Sequence, residues 1–527
     1  MNGHREQRVQ LYDTTLRDGM QQEGMSVSVD EKARIALKLD ELGIGFIEGG
    51  FPASNPKEIE FFRRMEGERL VNAELVAFGM TRRKGVAAEA DESLRVLAEV
   101  FTPTVAIVGK TWSLHLSKVI RVSRDENLHM IDESVRFLVA QGKCVVYDAE
   151  HFFDAWRDDP EYALRCATAA AEAGAAVVCL CDTNGASLPA FVADVAREVT
   201  AALPEAVVGI HAHNDSDCAV ASSLVAVDAG ARQVQGTVNG YGERCGNANL
   251  VSIIPALKLK MGFDVLTDEQ LERLTETSHF VADVVNAAVW AHAPYVGRSA
   301  FAHKGGMHVA AVEKAPETFE HIDPERVGNE QRIVVSELSG KGAVVRKAQE
   351  LGLQLEGDDA RVGAVLRRLK AREHEGYHYE AADASFDLLL REELGQLERP
   401  FDVEQWRVFC DQSDLSEAIL RVSTKGEPSR LFAGDGNGPV NALDMALRTA
   451  LELVFPVAAR FELVDYRVRI LDTGHGTDAI VRVLIDTRME GRNWTTVGVG
   501  SNVIEASYEA LADAYLYGIA VLAPAHV

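Results

Sequence analysis

Val9-Gln10-Leu11-Tyr12-Asp13-Thr14-Thr15-Leu16, Ser28-Val29-Asp30-Glu31 and Phe46-Ile47-Glu48-Gly49-Gly50-Phe51 decide the fold of the first half of this chain. The outer two stretches are β-rich apolar runs. The middle one is a capping-box pattern, followed by Ile35, Leu39 and Leu42 at helical spacing and then by Gly43, a stop signal. Together they read as one complete βαβ crossover. Six further runs follow: Leu75 to Gly79, Thr104 to Val108, Cys144 to Ala149, Val177 to Cys181, Val207 to Ala212 and Gln233 to Val238. Eight strands in about 250 residues match the size of a (β/α)8 TIM barrel, whose active site lies at the C-terminal ends of the strands. A doubly wound open sheet is the competing α/β arrangement. The barrel is preferred because polar residues cluster just after the strands, at Asp13 to Asp18, Glu48 to Gly50, Asp148 to His151, Asp182 to Asn184, His211 to His213 and Asn239 to Asn247.

At about 100 to 200 residues per domain, a chain of 527 residues holds two to four domains. Hydrophobic residues make up 47% and charged residues 25%, which excludes a disordered chain. The formal charge of -26 repels a phosphate backbone or an anionic lipid surface, so nucleic acid and membrane are excluded as primary partners. No apolar run reaches the roughly 18 residues that a membrane span needs, and the start from Met1 to Arg8 has no signal-peptide core. The expected location is the cytoplasm. The Cys at 144, 166, 179, 181, 218, 245 and 410 lack metal-site spacing and sit mostly in apolar segments, so they are expected to be buried thiols in a reducing compartment.

The expected boundaries place the barrel at 1–265, a helical connector at 266–398 and a tail domain at 399–527. Phe301-Ala302-His303-Lys304-Gly305-Gly306-Met307-His308 stands out in the connector, because it sets two His beside flexible glycines. The tail holds an internal repeat at an offset of 64 residues: Gly434, Gly436, Val440, Ala442, Ala446 and Leu447 recur as Gly498, Gly500, Ile504, Ala506, Ala510 and Leu511. Each copy is a Gly-rich turn opening an amphipathic helix after strand-like runs, which reads as a duplicated α+β unit. Two helix N-termini can hold a carboxylate. Alternatively, the glycines serve only tight packing.

His211 and His213 lie two apart on a strand and therefore point to the same side, where two imidazoles can share one metal. Taken alone, such a pair is more often structural. In a barrel, however, strands one, seven and eight are neighbours, and strand one ends in Asp13-Thr14-Thr15-Leu16-Arg17-Asp18. A carboxylate, two imidazoles and an amide oxygen suit Mn, Mg, Zn or a related divalent ion.

Asp13-Thr14-Thr15-Leu16-Arg17-Asp18-Gly19, Gln21-Gln22-Glu23-Gly24, His211-Ala212-His213-Asn214-Asp215 and Asn239-Gly240-Tyr241-Gly242-Glu243-Arg244-Cys245-Gly246-Asn247 together resemble the acyl-CoA condensing synthases of the isopropylmalate, homocitrate and citramalate group. The resemblance spans barrel, connector and a duplicated C-terminal regulatory domain. Ile47-Glu48-Gly49-Gly50-Phe51-Pro52, Glu150-His151-Phe152-Phe153-Asp154 and Glu320-His321-Ile322-Asp323-Pro324 are most similar to the citramalate-forming members, which join acetyl-CoA to pyruvate.

The resemblance implies Asp18, His211, His213 and Asn247 as metal ligands, with Arg17 facing the developing alkoxide or enolate; a plain ion pair is the alternative for Arg17. It implies Thr183 as a contact of the substrate carboxylate, with an N-cap as the alternative. His308 is the implied general base, reaching the barrel of a partner subunit in a homodimer, and His303 is its rival on the same segment. Glu150 is the implied acidic residue near the acetyl group. Phe319 stands where relatives commonly carry a Tyr near the reacting centre. An amino-acid effector, isoleucine or else leucine, is expected at Gly434, Gly436, Gly498 and Gly500. Rival readings are a synthase that accepts 2-oxoisovalerate, a lyase running the bond backwards, and a catalytically silent effector-binding homologue.

Overall fold

The computed structural model describes residues 8–312, 314–334, 336, 340–355, 359–411, 415–424, 427–471 and 479–523. Most of the chain start read above, Met1 to Gln7, lies outside them. The chain divides into two compact units, residues 1–301 with 322–330, and residues 302–321 with 331–527.

The first unit is built on β1 (Gln10–Asp13), β2 (Phe46–Gly50), β3 (Glu74–Met80), β4 (Thr104–Lys110), β5 (Cys144–Glu150), β6 (Val177–Asp182), β7 (Val207–Ala212) and β8 (Gln233–Gly236). Each pairs in parallel with the next, and β1 closes the ring by pairing with β8, so the sheet is a closed barrel and the open-sheet alternative is set aside. The first crossover folds as its residues dictate. Ser28 Oγ accepts from Glu31 N, Glu31 Oε2 accepts from Ser28 N, and the helix Val29–Leu42 stops at Gly43 with a left-handed φ of 98°.

Consecutive strand residues serve opposite layers. Tyr12, Val76, Ala106 and Val146 fill the barrel interior, while Leu11, Leu75, Val105 and Val145 pack outward against helical residues such as Ile35, Leu39 and Ile131. Two strand ends differ from expectation. β1 stops at Asp13 because Thr15 turns back, its N–H and hydroxyl both donating to the Asp13 carboxylate. β8 stops at Gly236 because Asn239 adopts a left-handed φ of 59° in the turn Val238–Gly240.

In the second unit, β9 (Ala302–His303) pairs in parallel with β10 (Arg332–Ile333), and helices Lys341–Glu350, Asp359–His374 and Asp383–Glu393 follow. The tail repeat is a duplicated βββα unit. β11 (Phe401–Cys410), β12 (Ser416–Thr424) and β13 (Glu427–Gly436) lead into helix Pro439–Glu452; β14 (Glu462–Ile470), β15 (Val481–Met489) and β16 (Arg492–Gly500) lead into helix Val503–Tyr517. Both copies contribute to one core, which includes Leu420, Leu447, Ile485 and Leu511. Gly434 and Gly498 let the helices lie directly on the strands: a Cβ would stand 2.4 Å from Ala446 N at the first and 2.0 Å from Ala506 O at the second.

All seven Cys are free thiols, but only Cys166, Cys179 and Cys181 are buried. Burial pushes the Cys166 thiol up to about 12. Cys144, Cys245 and Cys410 are exposed and Cys218 is half-buried, contrary to expectation. Cys144 opens β5 and Cys410 closes an edge strand, where apolar neighbours in sequence do not imply cover. Among the described residues, no helix is long and apolar enough to cross a membrane.

Candidate active site

The C-terminal ends of β1 and β7 assemble the first cluster. Asp18 Oδ2 lies 3.2 Å from His211 Nε2 and 3.6 Å from His213 Nε2, and the two imidazole nitrogens are 3.4 Å apart. His211 Nδ1 faces Gln235 Oε1 at 2.9 Å, and Gln235 Nε2 donates to Asp148 Oδ1, so Nδ1 carries a proton. Burial lowers the His211 pKa, but the Asp18 carboxylate opposite Nε2 outweighs it and holds the imidazole above its ordinary value. Burial, and then neighbouring His211, push His213 down to about 4, so it is neutral near pH 7. For Asp18, burial is overcome by Arg17 and the two His, which hold its carboxyl well below the usual carboxylate range. Asn247 is bridged to His213 through the backbone and donates its amide to Tyr241 O. Its Oδ1 is buried without a partner among the described residues. A carboxylate, two imidazoles and an amide oxygen therefore converge, which is a donor set that a divalent cation satisfies by taking the place of the proton shared between Asp18 and His211.

Arg17 donates Nε to Glu48, approaches Asp18 Oδ2 at 3.6 Å and lies 4.0 Å over the Phe78 ring. Its alternative role as an ion pair is thus present in the structure and leaves the guanidinium beside the same cluster. Glu48 is fully buried and also accepts from Tyr12 hydroxyl at 2.6 Å. Deeper in the barrel, Asp148 converges with Cys179 and Cys181, and burial followed by Glu48 pushes Asp148 up to about 6.

Thr183 follows β6 and accepts from His151 N–H at 2.9 Å. It caps no helix, since the next one, Pro189–Ala202, has Leu188 at its N-cap. Glu150 ends β5, pairs with Lys110 and lies 4.0 Å from His115 Nδ1. Trp112, His115 and His151 stack beside it, with centroids 4.4 to 5.8 Å apart.

His308 and His303 belong to the second unit. His308 is exposed on helix Gly306–Val312 and stacks on Phe319, with ring centroids 4.3 Å apart. His303 Nε2 is 3.0 Å from Glu320 Oε1, which also accepts from Gln331. Gly434, Gly436, Gly498 and Gly500, where an effector is expected, lie elsewhere in this unit, at the ends of β13 and β16. Of the site's supporting residues, sequence reasoning missed Gln235, Lys110 and the partnership of Glu48 with Arg17. Their signal was a polar side chain inside or closing a buried strand.

The HMGL-like family profile matches residues 8–281, the homocitrate synthase post-HMGL domain-like profile matches 295–376, and the LeuA allosteric (dimerisation) domain profile matches 380–519. The (R)-citramalate synthase of Synechocystis sp. is 48% identical, covering 97% of this chain and 96% of the relative. That of Streptomyces coelicolor is 49% identical over 98% of both. A 2-isopropylmalate synthase of Synechococcus sp. is 32% identical over 96% of this chain and 94% of the relative. Sharing nearly half its residues along almost its whole length with the first two, and matched by the three profiles in this order, the chain belongs to the citramalate synthase family of the isopropylmalate and homocitrate synthase group.

Proposed function

We propose that this chain is an acyltransferase that converts the acyl group to alkyl on transfer, condensing acetyl-CoA with pyruvate to give citramalate and free CoA in isoleucine biosynthesis. One observation carries the reading: Asp18, His211 and His213 converge beside Asn247, whose Oδ1 is buried and unpartnered among the described residues, within a chain 48–49% identical to (R)-citramalate synthases. In this reading residues 1–265 are the catalytic barrel, 266–398 the connector and 399–527 the regulatory domain. The seven free thiols suit a reducing cytoplasm.

Asp18, His211, His213 and Asn247 would hold a Mn, Mg or Zn ion, which when bound supplies Lewis acidity to the ketone of the oxoacid. Thr183 offers its hydroxyl to the substrate carboxylate. Arg17, fixed by Glu48 and Phe78, places a permanent cation where negative charge develops on oxygen. His308 takes the proton from the acetyl methyl group, and Glu150, held by Lys110, orients the base or the water that finally cleaves the thioester. Phe319 packs against His308 and brings no hydroxyl of its own.

Thiol release across a panel of 2-oxoacids tests the reaction. Pyruvate is expected to give the highest kcat/KM, with citramalate as product. Preference for 2-oxoisovalerate would make the chain a 2-isopropylmalate synthase, and no release with any acceptor would leave a lyase or a silent homologue.

The homodimer and its effector belong to the tail. Edge strand β14 exposes Leu463, Val464, Tyr466, Val468 and Ile470, an apolar run that a second copy can cover. Isoleucine would place its carboxylate at the N-termini of helices Pro439–Glu452 and Val503–Tyr517. Gly436→Val does not isolate that contact, because a Cβ there would stand 2.6 Å from Ala442 N and disturb the helix. Gly500→Ala does, since its nearest neighbour, Glu505 Oε2, is 3.4 Å away. Calorimetry is expected to show isoleucine binding that Gly500→Ala weakens while thiol release is kept. No heat with isoleucine, leucine or valine would leave the repeat as a dimerisation element.

A further inference from the structure

In a chain with a formal charge of -26, the loops after β3 and β4 carry a local excess of cations: Arg82-Arg83-Lys84 on one, Lys118 and Arg121 on the other. Two of the five are already engaged. Arg82 is buried and paired with Glu126 and Glu133, and Arg83 pairs with Asp91 at 3.2 Å. Lys84, Lys118 and Arg121 are exposed, and none of them is ion-paired among the described residues.

Lys84 Nζ donates to Arg121 O at 2.6 Å and so joins the two loops. Arg121 sits at a φ of 53° and ψ of 56° just after the π-turn Leu116–Ile120. A left-handed residue bearing a Cβ is strained, and π-turns are frequent at functional sites.

The same stretch leads back to the proposed reaction centre. It begins at Thr111, whose hydroxyl donates to Glu150 O, and continues through Trp112 and His115 in the ring stack beside Glu150. The stretch that carries those rings and cations also exposes Leu114 and Val119, and β3 ends in exposed Met80. A pocket of about 450 Å³, lined by Phe51, Ile59, Met80, Thr81, Arg83 and Val96 among others, adjoins this side of the rim. A ligand that reacts at one end, is largely uncharged along its length and bears several phosphates at the other matches this sequence of surfaces.

We propose that Lys84, Lys118 and Arg121 bind the phosphates of the nucleotide end of the CoA thioester, whose arm runs over Leu114 and Val119 towards Glu150. This subsite rests on the acetyl-CoA reading above. Lys118→Glu and Arg121→Gly test it. Glycine tolerates the left-handed backbone of Arg121 better than arginine does, so a loss there cannot be attributed to misfolding.

Each variant is expected to raise KM for acetyl-CoA by about tenfold or more, as loss of a charge-assisted phosphate contact does. The kcat and the KM for pyruvate should stay unchanged. So should the KM for the acetyl thioester of N-acetylcysteamine, which lacks the nucleotide. Adenosine 3′,5′-bisphosphate should bind the parent and bind the variants more weakly in calorimetry. An acetyl-CoA KM within about twofold of the parent, or an equal rise with the truncated thioester, overturns the proposal. Should the parent release no thiol with any oxoacid, the reaction itself is misassigned, and calorimetry of CoA on parent and variants still decides the subsite.

Discussion

Asp18→Ala is expected to abolish turnover, and His211→Ala likewise, while the barrel stays folded. The side chain of Asp18 is buried, so its loss could instead act through stability. Its neighbours argue otherwise. Arg17 keeps Glu48 and the Phe78 ring as partners, and both imidazoles can become neutral, so no uncompensated charge is stranded. The stability cost is expected not to exceed about 2 kcal/mol, which thermal unfolding of the metal-free protein measures. Mn²⁺ calorimetry should show binding by the parent and none by either variant, and chelation of the parent should stop thiol release until metal is restored. Asn247→Ala separates site from fold most sharply. Its Oδ1 has no partner among the described residues, so removing that atom breaks no hydrogen bond described for it, although the amide hydrogen bond to Tyr241 O is lost. Full activity after chelation and in Asp18→Ala would sink the metal reading.

The parts of this molecule legible from sequence are those where local chemistry and global fold agree. Ser28, Glu31 and Gly43 mark both ends of the first helix, and each does so by its own backbone hydrogen bond or φ. Asp18, His211 and His213 were legible because strand periodicity and barrel adjacency are geometric rules that hold without knowledge of loops. Glu48 and Gln235 were not, since their roles depend on side chains 31 and 24 residues away, Arg17 and His211. Cys144 and Cys410 were misread because burial belongs to the position of a strand end and not to the apolarity of its neighbours. For Gly434 and Gly498, where packing and ligand binding were evenly matched, contact with the helix backbone accounts for the missing Cβ. The remaining effector contact therefore has to be sought at the helix ends.

His308→Ala is expected to lower kcat by about 100-fold to 10,000-fold, the range for loss of a general base, with the KM for pyruvate little changed. The imidazole is exposed on helix Gly306–Val312, and its only described neighbour of note is the Phe319 ring, so alanine there removes little packing and the fold should persist. His303 provides the internal comparison. Its Nε2 is bound to Glu320, an arrangement that suits a positioned structural group, and His303→Ala should lower kcat less than His308→Ala does. The two variants together decide which imidazole moves the proton. Whether it acts across subunits is decided by mixing. In heterodimers of His308→Ala and Asp18→Ala, a base supplied by the partner leaves one barrel with an intact Asp18 and an intact incoming His308. Activity near half that of the parent is then expected from two inactive proteins. No recovery in verified heterodimers would mean that each base serves the barrel of its own chain.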